Sequence, residues 1–145
     1  MSSKQSVNQE PLSKEEYETL ALHRYVIQQF LRFSEGLLQK AGLTPQQYQA
    51  MLAIKANPDW DYMTMGELAD CLLIRPHSAV GLVNRLEARG LLARQTSETD
   101  RRQVHVRLTE QGSQVLDRLA QRHVGLWRQL GPQLRAISAR LGEAA

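Results

Sequence analysis

The sequence predicts a mainly α-helical chain with a small β-ribbon: a winged helix-turn-helix domain flanked by N- and C-terminal dimerisation helices. Three observations lead there. Residues 65–109, MGELADCLLIRPHSAVGLVNRLEARGLLARQTSETDRRQVHVRLT, read as a short helix, a tight turn, a second helix closed by glycine, and two strands around a polar basic loop. Positive charge is concentrated in that stretch. The segments before and after it carry more apolar residues than one small core absorbs.

The motif helices have start and stop signals. Thr64 with Glu67 three residues on is a capping-box pattern, opening a helix with Leu68, Ala69, Leu72 and Leu73 on its apolar side. Pro76 suits the first turn of the next helix, where its missing N–H goes unused. Ala79, Leu82, Val83 and Leu86 then recur at i, i+3, i+4 and i+7, and Gly90 supplies the stop. Opposite that stripe lie His77, Gly81, Asn84, Arg85 and Ala88. A glycine there costs about 1 kcal/mol relative to alanine, which suggests that something approaches the backbone closely. Beyond Gly90, residues 91–94 and 104–108 read as strands. Residues 95–103 between them contain no glycine, so the loop is expected to project as a mobile wing.

Between Arg75 and Arg107 there are seven arginines, no lysine and three acids (Glu87, Glu98, Asp100), a balance of +4 in a chain of net +3. The excess therefore belongs to this segment, as a phosphate-facing surface requires. Arginine suits bidentate contacts to phosphate or guanine and insertion into a narrow minor groove.

The run GELADCLLIRPHSAVGLVNRLEARGLLAR…DRRQVHVRLTEQG resembles the DNA-binding lobe of MarR-family transcriptional regulators over about residues 30–120, with ELA, NRLEARGLL, DRR and LTEQG its most specific parts. The resemblance implies a homodimer on double-stranded DNA with a pseudo-palindromic operator. It places the recognition helix at residues 75–89 and the wing-tip arginines at Arg101 and Arg102, with Asp100 orienting one of them. The DNA-binding set it implies is Arg75, Pro76, His77, Ser78, Gly81, Asn84, Arg85, Arg94, Arg101 and Arg102. Gly81 and Asn84 depart from the residues common in relatives, so the base contacts are this chain's own.

The rest of the chain fits the same plan. Residues 1–12 are polar and read as a flexible arm, and residues 13–145 as one domain. Within it, residues 13–42 and 109–145 are expected to dimerise, and residues 44–108 form the winged-helix lobe. Ser13 and Glu16 repeat the capping-box pattern before a helix reaching about Lys40 and closed by Gly42. Tyr17, Leu20, Ile27, Leu31 and Leu38 keep one spacing along it, while Leu22, Val26, Phe30, Phe33 and Leu37 crowd its other faces. Thr44-Pro45 starts a helix with Tyr48, Met51, Leu52 and Ile54, followed by an aromatic loop over residues 59–62. Thr109 caps a helix whose Leu116, Leu119, His123, Leu126 and Leu130 repeat at three and four. Gly131-Pro132 is expected to end it, with Leu134, Ile137 and Leu141 in a final short helix.

Individual residues carry further readings. Asn84 either reads adenine or holds Arg85 or a wing residue, with the structural role slightly favoured. Trp60, Tyr62 and Trp127 are candidates to line a pocket for a small aromatic effector, with core or interface packing the blander role. Cys71 is a candidate redox sensor beside Arg75, or simply an inert hydrophobe. The four histidines lie on separate elements without metal-ligand spacing, so neither metal nor cofactor is expected. No phosphate loop or nucleophile elbow suggests an enzyme. No apolar run approaches the ~20 residues of a membrane span. The N-terminal stretch has no signal-peptide core, so a cytoplasmic location is expected. The competing reading is a winged-helix module that binds protein rather than DNA, against which the arginine concentration argues.

Overall fold

The computed structural model describes residues 10–142; most of the predicted flexible arm lies outside them. Hydroxyl side chains start four of the five helices. Ser13 and Glu16 exchange both hydrogen bonds of a capping box (3.0 and 3.1 Å) before α1, Lys14–Lys40. Thr44 and Gln47 do the same before α2, Pro45–Ala56. Gly42, at φ +70, ends α1, and the guanidinium of Arg89 donates to the carbonyls of Ala41 and Gly42 there.

Tyr62 does not lie in a loop. It opens a short strand, β1 (Tyr62–Thr64), missed because three residues are too few to show an alternating pattern. α3 (Met65–Leu72) and α4 (Pro76–Ala88) follow, then β2 (Leu92–Thr96) and β3 (Val104–Leu108). The antiparallel sheet has the order β1-β3-β2, with Met63 and Arg94 both opposite Val106. β2 runs two residues past its expected end, because Gln95 and Thr96 pair with His105 and Val104.

α5 spans Glu110–Gly142 without interruption, so Gly131-Pro132 does not break it. A proline inside a helix costs about 3 kcal/mol. Here Leu126, Leu130, Leu134 and Ile137 lie on both sides of Pro132 and pack with Leu22, Val26 and Phe30 of α1. A break would forfeit that shared surface. The same packing corrects the reading of α1. The face carrying Val26 is buried, while Tyr17, Leu20, Ile27 and Leu31 face outward.

Two compact units result. One is Phe33–Gly125; the other joins α1 up to Arg32 with α5 from Leu126. In the larger unit the stripe Ala79, Leu82, Val83 and Leu86 is at most 3% exposed, and its Leu82, Val83 and Leu86 share one core with Met51, Ile54, Leu68, Leu92, Val106 and Leu116. His123 is one of the buried polar residues of this unit. Its Nδ1 lies 2.7 Å from the Leu119 carbonyl, which can only accept, so that nitrogen carries the proton. Nε2 then accepts from the Ser34 hydroxyl at 2.9 Å when the ring is neutral. Tyr48 stacks on the ring at 4.6 Å, and burial pushes its phenol above the ordinary tyrosine range.

The start of α5 is fixed by a knot of short contacts. Thr109 Oγ1 accepts from the Gly112 N–H (2.9 Å) and donates to the Gly90 carbonyl (2.6 Å), while its N–H donates to the Leu91 carbonyl (3.1 Å). A β-carbon at position 112 would stand 2.0 Å from that Leu91 oxygen.

Two substitutions should therefore move stability in opposite directions under urea unfolding. Gly112→Ala must displace backbone and should lose about 3 kcal/mol or more. Pro132→Ala restores a helix interior and should gain up to about 3 kcal/mol. A Gly112→Ala protein as stable as its parent would refute the close approach.

Candidate nucleic-acid interface

The interface begins with the turn between α3 and α4. Thr64 accepts from the Glu67 N–H at 3.2 Å, so the threonine half of the predicted capping box forms; Thr64 is also the last residue of β1, paired with His105. Leu73 does not continue the apolar side of α3. It is the C-cap, in the left-handed region, and its side chain lies in solvent. The reason is the helix stop itself: the Leu73 and Ile74 N–H groups turn back onto Asp70 and Ala69, and Ile74 packs against the core instead.

Arg75 is the N-cap of α4 without a side-chain cap bond, and Pro76 takes the first turn as predicted. His77, Ser78, Asn84 and Arg85 are exposed and Gly81 is half-buried. A β-carbon on Gly81 would meet only the Arg85 guanidinium, at an ordinary 3.8 Å. Nothing among the described residues requires glycine at that place.

The seven arginines separate into two groups. Arg89 caps α1. Arg107 lies 3.8 Å from the Asp61 carboxylate and 5.9 Å from the centre of the Tyr62 ring. Arg94, on β2, donates to the Asn84 side-chain oxygen and stands 3.7 Å from Glu87, which ties the wing to α4. That is the structural role favoured for Asn84, with a wing-strand residue as its partner. Among the described residues, the side chains of Arg75, Arg85, Arg101 and Arg102 have no hydrogen-bond or ion-pair partner.

The wing loop, residues 97–103, closes on itself without glycine. The buried Ser97 hydroxyl accepts from the N–H groups of Thr99 and Asp100 (3.3 and 3.2 Å), and the Ser97 N–H donates to the Gln103 carbonyl. Such serine turns leave a weak signal in sequence, the run Ser-x-Thr-Asp. Asp100 orients the tip differently from expectation: its carboxylate accepts the backbone N–H of Arg102 at 3.0 Å, and neither arginine guanidinium is its partner. A carboxylate one or two residues away cannot easily fold onto a guanidinium while an Asx turn holds it. Arg102 and Val80 of α4 border one cavity of about 440 Å³, so the wing tip lies beside the exposed face of α4.

The aromatic candidates separate. Trp60 stacks on Tyr62 (5.7 Å) and Tyr62 on His105 (3.8 Å), and Trp60 lines a second cavity of about 440 Å³ with Lys55, Asp59 and Asp61. Trp127 belongs to the other unit, stacked on Phe30 at 4.5 Å. Cys71 is exposed on α3. Among the described residues no three His, Cys, Asp or Glu side chains cluster as metal ligands would.

A MarR family model matches residues 41–103, from the end of α1 through α2, α3, α4 and β2 to the wing. With the fold just described, the chain is similar to the MarR family in sequence and in architecture. It is 35% identical over 100 residues to a transcriptional regulatory protein for the hcr operon of Thauera aromatica, over 69% of this chain and 58% of that protein. The homoprotocatechuate degradative operon repressor of Escherichia coli is 28% identical over 73% of this chain and 70% of its own. The match spans about half the length of the first curated relatives: 58%, 56% and 48%. Among solved structures, AbsC, a MarR family transcriptional regulator from Streptomyces coelicolor, superposes with a TM-score of 0.70 at 25% identity, covering 91% of this chain and 93% of that one. A mutant of S. aureus MepR, bound to an oligodeoxyribonucleotide, has the same fold (TM-score 0.68, 18% identity, 91% and 96% covered).

Within this chain, the Asn84–Arg94 contact should couple α4 to the wing. Asn84→Ala and Arg94→Ala should each destabilise, and a double-mutant cycle should return a coupling of about 0.5–1.5 kcal/mol. Additive losses would mean that the two side chains act independently.

Proposed function

We propose that this protein is a homodimeric, sequence-specific DNA-binding transcriptional regulator. α4 enters the major groove, with His77 and Ser78 at base edges beside Gly81, and Arg101 and Arg102 of the wing reach the backbone or a narrow minor groove. One observation carries the reading. Of the seven arginines from Arg75 to Arg107, the four without a partner among the described residues all lie on α4, its cap or the wing tip, where phosphates would supply the missing acceptors.

The dimer is supported by the outward stripe of α1, Tyr17, Leu20, Ile27 and Leu31, an apolar face left bare along that helix. A two-fold protein matches a pseudo-palindromic operator. Release by a small ligand is part of the proposal, and the cavity beside Trp60 is its candidate place. No helix among the described residues is long and apolar enough to cross a membrane.

The experiment is selection of bound duplexes from a random pool, followed by binding curves at several salt concentrations. With Arg75, Arg85, Arg101 and Arg102 of each protomer on the backbone, about eight phosphates are neutralised per dimer, and log K should fall against log[salt] with a slope of roughly −7. A slope shallower than about −2 would rule out a backbone-facing surface. Replacing Arg101 and Arg102 together by Ala should flatten the slope and weaken operator and random DNA alike. His77→Ala should lose roughly 1–3 kcal/mol on the selected operator only.

Gly81 provides a separate check. Gly81→Ala should stabilise the fold by up to about 1 kcal/mol, since the β-carbon fits. If DNA approaches the backbone there, the same variant should bind its operator more weakly. Retained affinity would show that the glycine serves no contact.

A further inference from the structure

Leu73 occupies a place that neither its backbone nor its surroundings favour. It sits at φ 55 and ψ 41, the left-handed region that glycine adopts freely and that a β-carbon opposes. It is the only non-glycine residue with positive φ among those described. Its side chain is 93% exposed, more than any other large apolar side chain described. The stop of α3 does not need leucine, because the apolar contact of such a stop is already made by Ile74, which packs against the core. Asparagine or glycine would close the helix at less strain and with no bare leucine in water.

The position supplies the reason. Leu73 stands two residues before Arg75, the N-cap of α4, so consecutive Cα spacing keeps it within about 8 Å of that cap. The same end of α4 exposes His77 and Ser78, and Arg75 has no partner of its own. A residue outside the helix and ahead of its first turn meets the rim of a groove rather than its floor. The rim consists of phosphates and of deoxyribose rings, whose carbon faces are apolar and present in every sequence.

We propose that Leu73 packs on the deoxyribose face of the strand bordering the major groove where α4 enters, a sequence-independent apolar contact beside the Arg75 phosphate contact. This rests on the DNA-binding reading above. It predicts a kind of loss that the arginines do not give. An apolar contact releases no counterion, so removing it lowers affinity without changing the salt slope. A contact to sugar carries no base information, so operator and random DNA are weakened equally.

The test uses the full chain with Leu73→Gly, Leu73→Asn and Leu73→Met, on the selected operator and on a random duplex of equal length. Leu73→Gly and Leu73→Asn should melt no lower than the parent, since both tolerate positive φ. Both should bind either duplex about five-fold more weakly per half-site at every salt concentration, the effect of uncovering part of one leucine side chain. The slope of log K against log[salt] should stay that of the parent, and Leu73→Met should recover most of the affinity. Parent-like binding by Leu73→Gly would overturn the contact alone, and would leave a protein partner as the leucine's ligand. A loss confined to the operator would also overturn it, in favour of a thymine methyl. A parent protein that retains neither duplex would overturn the DNA-binding reading and this contact together.

Discussion

The outward face of the larger unit is placed by the burial of four residues. Ala79, Leu82, Val83 and Leu86 are at most 3% exposed and fix the rotation of α4 about its axis. Once that stripe is inward, His77, Ser78, Asn84 and Arg85 have no other place than solvent. Burying such aliphatic side chains contributes about 1.5–3 kcal/mol each, far more than any exposed polar contact of the interface. The chemistry of α4 therefore depends on its hydrophobic side. A reading side chain is only as well aimed as the stripe beneath it is well packed.

The wing is held by other means, because it buries little. Ser97 folds the loop onto its own N–H groups, and Asp100 fixes the tip backbone. Arg94, through Asn84 and Glu87, ties the strand leading to the tip onto α4. These are polar contacts near the surface, each contributing about 1 kcal/mol or less. A wing built this way is positioned relative to α4 by contacts weak enough to adjust. In the proposed function that division suits two tasks, since base reading needs a rigid helix and backbone contact tolerates adjustment.

The arginines show how charge and structure divide. Seven lie in one stretch, yet Arg89 closes a helix end, Arg107 sits beside Asp61 and Tyr62, and Arg94 spans the wing and α4. Net charge marks the segment but not the roles within it. Only the positions of acceptors within the fold distinguished the structural arginines from Arg75, Arg85, Arg101 and Arg102. In the same way, the strain at Leu73 has no counterpart in composition, since leucine is ordinary in a helix and becomes odd only at φ 55.

The sequence by itself determined what is local. Capping hydroxyls at Ser13 and Thr44, the proline of α4 and the stops at Gly42 and Gly90 act on backbone within four residues, and periodicity reveals which stripe of α4 is apolar. Tertiary structure decided what depends on a distant partner. α1 carries apolar residues on several faces, and its buried side became clear only with Leu126, Leu130 and Ile137 of α5 in place. The same cluster carries α5 through Pro132, where packing shared across both sides of the proline outweighs a helix interior defect of about 3 kcal/mol. β1 exists because three residues find β3, and Gly112 is fixed because the Leu91 carbonyl stands where a β-carbon would go. In each case the deciding atoms lie far along the chain or on another strand, and a propensity read over a few residues has no access to them.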